Sequence, residues 1–189
     1  MVKKPQKTSL TSCIRFHEAG HAVVAFELGA TIKFVGALGR NERMMLPHQQ
    51  WSINLGECGV EFFGDYTRMV YPVTDQAQEV AIIKDAAILF GGIMAHMKYA
   101  GISFERAAEM GGSADLSMID YAISFLPEEK RHGAMSVAKS VCRVEMRDSK
   151  SGWVMVNTLA EDLKSHGVID GFNAQISLLL SYWHREDLL

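Results

Sequence analysis

Two histidines four residues apart, His17 and His21, with Glu18 directly after the first, stand in the stretch IRFHEAGHAVVAF. On an α-helix, side chains at i and i+4 lie on one face, one turn apart. Two imidazoles so placed can share one zinc ion at about 2.0–2.1 Å each. Glu18 is rotated by about 100° from His17. Its carboxylate then sits beside the metal rather than on it, where a general base for metal-activated water belongs. Seven histidines and 13 glutamates in 189 residues give about 0.02 chance occurrences of the HExxH pattern. The surrounding residues (Ala19, Gly20, Ala22, Val23, Val24, Ala25) are small and apolar, and polar groups on such a buried stripe need partners. The expectation is a metal site rather than two satisfied core histidines.

A catalytic zinc takes a third protein ligand and keeps one position open. The extended pattern HExxHxxGxxH would supply that ligand locally, but here Val24 occupies the glycine position and Glu27 the last histidine position. The third ligand must therefore come from further along the chain. Two carboxylates compete: Glu79, on a long downstream helix, and Asp115 in GGSADL, near the start of a capped helix.

The elements that must position these groups read as follows. Residues 9–28 form a first helix, with Ser9, Thr11 or Ser12 as cap and Gly29 as stop. TIKFVGAL (31–38) is a short strand, 39–57 is a mixed excursion containing Pro47, and 58–72 reads as one or two short strands ending at Pro72. Helices follow at 74–100, capped by Thr74 or Asp75, and at 111–126, capped by Ser113. Further helices run from Pro127, placed at N1, to about 148, from 151 to 166 before Gly167, and from 170 to 187. Gly91-Gly92 costs the long helix about 1 kcal/mol per residue relative to alanine, and such a pair lets another helix approach closely. The fold class is mainly α: an array of about six helices with a small β-ribbon near the first.

Length and composition place all of this in one domain, residues 9–189, after a disordered tail at 1–8. A net charge of −3, with no basic cluster beyond Lys3, Lys4 and Lys7, gives no electrostatic support for a nucleic-acid partner. Cys13, Cys58 and Cys142 form no CxxC pair, which excludes a cysteine zinc site and reads as free thiols in a reducing compartment. No apolar run follows the first lysines, so no signal peptide is expected. The apolar tract 80–97 carries Lys84, Asp85, two glycines and His96, a load that suits a buried helix rather than a membrane span. The expected location is cytoplasmic. The methionines, Met44 and Met45 among them, read as core fillers or loop residues, Trp51, Trp153 and Trp183 as packing residues, and His48, His132, His166 and His184 as solvated.

Three segments together resemble the peptidase domain of the FtsH-type ATP-dependent zinc proteases, the M41 peptidases. HEAGHAVVA (17–25) is similar to that family's zinc helix, LFGGIMAHM (89–97) to its LGGRAAE-type helix, and GGSADLSMI (111–119) to its GAxNDL-type segment. LAEDLKSHGVIDG (159–171) is a weaker match to its C-terminal pattern. The resemblance covers most of residues 9–180. It implies an FtsH-peptidase-like fold, His17, His21 and Asp115 as zinc ligands and Glu18 as base, and so favours Asp115 over Glu79. Three departures stand out. There is no GxxxxGK[ST] motif and no transmembrane anchor, 36–60 fits poorly, and Ile93 and His96 replace the family's arginine and final glutamate. His96 reads as a buried histidine rather than a substitute contact near the zinc.

The function these readings imply is a zinc-dependent endopeptidase acting on unfolded or flexible polypeptide. A separate ATPase chain would unfold its substrates, and ring assembly in the family raises a homo-oligomer. The competing reading is a zinc-binding adaptor that retains the site without proteolysis. Glu18 weighs against it, since holding a metal needs no base.

Overall fold

Ser9 starts the first helix by accepting the Ser12 N–H at 3.1 Å, and Gly29, at φ 80°, ends it, so α1 spans Leu10–Leu28. The computed structural model describes residues 9–38, 43–45, 52–54, 56–146 and 151–186. The expected tail at 1–8, most of the excursion at 39–57 and the last residues of the helix expected to reach 148 lie outside the described residues.

From Phe16 to Ala25 every residue of α1 is buried. The same holds from Asp85 to His96 in α2, Gln76–Ala100, which is capped by Asp75 and ended by Gly101 at φ 64°. Two helices buried on all sides must approach closely, and small residues allow it. A Cβ on Gly20 would overlap the Gly91 carbonyl, and one on Gly91 would lie 2.6 Å from the Gly20 oxygen. The close approach expected at the glycine pair is therefore the crossing of α1 and α2. By length and composition α2 could cross a membrane, but 72% of its most apolar window is buried inside the molecule.

Strand β1 (Thr31–Ala37) follows α1 through Gly29-Ala30 and forms the middle of a three-stranded antiparallel sheet. Its neighbours are β4 (Gly56–Glu61) and β5 (Val168–Asp170). A separate ribbon pairs β2 (Arg43–Met45) with β3 (Ser52–Asn54). The remaining helices are the single turn α3 (Phe104–Ala107), followed across a kink at Gly111 by α4 (Ser113–Ser124), then α5 (Glu128–Glu145), α6 (Ser151–His166) and α7 (Gly171–Glu186). The chain is thus mainly helical with a small antiparallel sheet, as the sequence implies. The main core cluster runs from Phe16 to Leu178. Trp153 packs there as expected, 5.9 Å from the Phe16 ring, which itself stacks on Tyr99 at 3.8 Å.

Several boundaries differ from the sequence reading. Strand character expected over 58–72 stops at Glu61, because the Phe63 and Gly64 amides donate to the buried Asp85 carboxylate at 2.8 and 2.9 Å instead of to a neighbouring strand. Ser113 is not a cap but the first residue of α4: the helix breaks at Gly111, Gly112 takes the N-cap, and the serine that does cap is Ser103, which starts α3 by accepting the Arg106 N–H at 3.2 Å. Pro127 occupies the N-cap rather than N1. Strand β5 went unread because three residues carry too little pattern and β1 supplies their pairing.

Candidate metal centre

Helix α1 projects His17 and His21 toward α2 with their Nε2 atoms 3.1 Å apart. Asp115, in the first turn of α4, reaches them from a third side. Its Oδ2 lies 2.9 Å from His17 Nε2 and its Oδ1 3.5 Å from His21 Nε2. Ligand atoms about 2.0–2.1 Å from a tetrahedral ion stand about 3.3 Å from one another, so these three separations suit one small cation. Both histidines are buried, at 7% and 6% exposure.

The hydrogen bonding fixes what the atoms offer. His21 Nδ1 donates to the Ile88 carbonyl at 2.9 Å, which leaves a lone pair on Nε2 of the neutral ring. Asp115 Oδ2 is buried, and the group beside it is the His17 imidazole nitrogen. Two imidazole lone pairs and a carboxylate therefore converge, an arrangement that requires positive charge between them, from a proton or a metal ion.

Gly92 supplies the space. A Cβ there would overlap His21 Nε2 and lie 2.7 Å from His17 Nε2, so its absence lets both imidazoles pack against the α2 backbone. One residue on, α2 presents Ile93 to the turn before Asp115, where a Cβ on Gly112 would come within 2.5 Å of Ile93 Cγ1. Two glycines thus hold α4 and α2 close enough for Asp115 to meet the histidines.

Without a metal the cluster favours a proton. Burial works against a charged His21, but the charge and hydrogen bond of Asp115 outweigh it and raise the His21 pKa to about 9. Burial also pushes Asp115 up, yet the charges and hydrogen bonds of His21 and His17 hold it well below the usual carboxylate range.

Glu18 is buried beside the cluster and feels the charges of His17, His21 and Asp115. Its carboxylate lies against the start of β4, where a Cβ on Gly56 would be 2.6 Å from Oε1. Burial raises its pKa despite the opposing charges of His17 and His21, which moves it toward the range of a general base. Glu18 and His17 line a cleft of about 330 Å³ whose other walls include Cys13, Ile14, His96 and Met110.

Geometry separates the two competing carboxylates. Glu79 stands nine residues before Ile88, about 13 Å along the helix axis, and its Oε2 accepts from Lys130 Nζ at 2.6 Å. It does not reach the histidines. His96 is buried as expected, but it lies in the wall of the same cleft, with its ring 6.3 Å from that of His17. Burial, then the charge of His17, lowers its pKa. Gly92 and Gly56 went unread as site residues; their signal, a missing side chain, becomes specific only once the facing atoms are known. His132 and His166 are exposed as expected, while His48 and Trp51 and the side chains of Met44, Met45, Trp183 and His184 lie outside the description.

No protein-family model matches the chain, and no curated protein matches it.

Proposed function

We propose that this chain is a zinc-dependent endopeptidase with His17, His21 and Asp115 as ligands and Glu18 as general base. The observation that carries the reading is the convergence of two imidazole nitrogens and one carboxylate, at separations of 2.9, 3.1 and 3.5 Å, in the space beside Gly92. The resemblance of 17–25, 89–97 and 111–119 to the M41 zinc peptidases supports it, since those segments supply the ligands and this space. When bound, zinc supplies Lewis acidity toward water and toward a carbonyl oxygen.

The chain's own residues do the rest. Glu18 takes the proton of an attacking water and passes it to the departing amine, and its burial keeps it basic enough for the first step and acidic enough for the second. Among the described residues, β4 pairs with β1 on one side only, and it begins at Gly56 against Glu18. Its outer edge suits an extended peptide added as a further strand. A cleft of about 330 Å³ takes an extended segment rather than a folded domain, so the substrates are unfolded or flexible chains, and delivery of folded ones falls to a separate ATPase partner. Three free cysteines suit a reducing, cytoplasmic setting.

The test is metal content together with cleavage of casein or a quenched-fluorescent peptide. Wild type is expected to hold one zinc per chain and to cleave, and Glu18→Gln to hold zinc without cleaving. Absence of stoichiometric zinc sinks the metal site. Zinc with no cleavage by either protein transfers the case to an adaptor role.

A further inference from the structure

We propose that His96 is a positioning residue of the metal centre: its Nε2 accepts the Nδ1 proton of His17 and fixes the orientation in which that imidazole meets the metal. The inference rests on the reading of His17, His21 and Asp115 as a metal site.

Ligation through Nε2 leaves the imidazole proton on Nδ1, and a ligating histidine almost always donates that proton to a carbonyl, carboxylate or water. His21 does so to Ile88 O at 2.9 Å. His17 Nδ1 is buried with no partner among the described residues, and so is His96 Nε2 on the facing helix. His96 stands one turn after Gly92, so α2 turns both residues to the same side. The two rings lie 6.3 Å apart at 78°. Imidazoles bonded directly have centroids roughly 5 Å apart, so a small shift of either ring brings the two nitrogens into contact. With the His17 proton on Nδ1, that contact makes His96 Nε2 the acceptor and leaves the His96 proton on Nδ1. The two nitrogens are of complementary role, belong to neighbouring rings across the α1–α2 contact, and have no other hydrogen-bond partner among the described residues. A histidine that merely filled the core would need no such neighbour.

The experiment compares wild type, His96→Leu and His96→Asn. Zinc affinity is measured by competition with a chromophoric chelator, the visible spectrum of the cobalt(II) form is recorded, and metal-free thermal unfolding serves as the folding control. His96→Leu is expected to weaken zinc about 10–100-fold and to shift the cobalt bands. His96→Asn, which keeps an acceptor oxygen, is expected to recover most of the affinity. A purely structural role would move the melting temperature but give no rescue by asparagine. Equal zinc affinity and an unchanged cobalt spectrum in His96→Leu overturn the proposal while leaving the metal site standing; a wild type that binds no zinc overturns the metal site itself. Should His96→Leu fail to fold, long-range ¹⁵N–¹H correlations of the imidazoles in zinc-loaded wild type decide. A protonated Nδ1 with unprotonated Nε2 on His96 supports the proposal, and the opposite tautomer overturns it.

Discussion

Gly92 lies directly behind the histidine pair: a Cβ on it would overlap His21 Nε2 and stand 2.7 Å from His17 Nε2. Alanine in place of a helical glycine ordinarily stabilises by about 1 kcal/mol. Here the added methyl would displace the imidazole nitrogens that hold the cation. Gly92→Ala is therefore expected to retain its helical circular dichroism while zinc affinity falls about 10–100-fold, although no ligand has been removed. Chelator competition measures this, and wild-type affinity in the variant would mean the ion sits elsewhere.

The two carboxylates weighed as third ligand should separate cleanly. Asp115→Ala removes the atom 2.9 Å from His17 Nε2 and is expected to lose most of the zinc. Glu79→Ala breaks only the pair with Lys130 on the molecular surface, worth about 0–1 kcal/mol, and should keep zinc at full stoichiometry. Zinc retained in the first variant and lost in the second would reverse the assignment.

That contrast shows what the sequence can carry. His17, Glu18 and His21 were legible because their relation is local: helical spacing alone puts them on adjoining faces. Asp115 stands 94 residues beyond His21, and its arrival depends on the kink at Gly111 and on Gly112 fitting against Ile93, features of tertiary packing with no period to read. The pair Gly91-Gly92 was legible as a close approach, but its division of labour was not. Gly91 meets the backbone of Gly20, whereas Gly92 faces the imidazoles, and composition cannot distinguish the two. His96 shows the same limit: burial followed from its apolar neighbours, while the cleft it lines is built by α1, β4 and the turn before α4.

The proton held by the metal-free cluster makes its stability pH-dependent. The His21 pKa is raised in the folded protein to about 9, so its contribution is fully present below the unfolded value near 6.5 and is lost as pH rises through about 9. The Asp115 pKa is lowered, so its contribution is present above about 4 and is lost as pH falls toward the folded value. Chelated protein should thus be most stable between about pH 4 and 6.5 and should lose a few kcal/mol by pH 9.5. Urea unfolding across that range measures it, and His21→Gln should flatten the alkaline limb. Zinc binding at pH 7 must displace the same proton, which calorimetry in buffers of different ionisation enthalpy will count; zero protons released would contradict the protonated cluster.

Asp85 marks where the fold depends on a buried charge remote in role from the metal. Its carboxylate accepts from the Phe63 and Gly64 amides at 2.8 and 2.9 Å and from the Tyr66 hydroxyl at 2.8 Å, at 1% exposure. These bonds tie the segment after β4 to α2. Alanine would orphan two amides and a hydroxyl at once, and hydrogen bonds to a charged acceptor contribute about 1.5–3 kcal/mol each before any water replaces them. Asp85→Ala is expected to cost roughly 2–4 kcal/mol, lowering the melting temperature by about 5–15 °C, and to open residues 62–66 to limited proteolysis. Zinc stoichiometry should stay at the wild-type value, because His17, His21 and Asp115 are held by α1, α4 and the later half of α2. Unchanged melting would show that the segment after β4 is held by its apolar contacts instead, and lost zinc would show that this segment also braces the cleft beside Glu18.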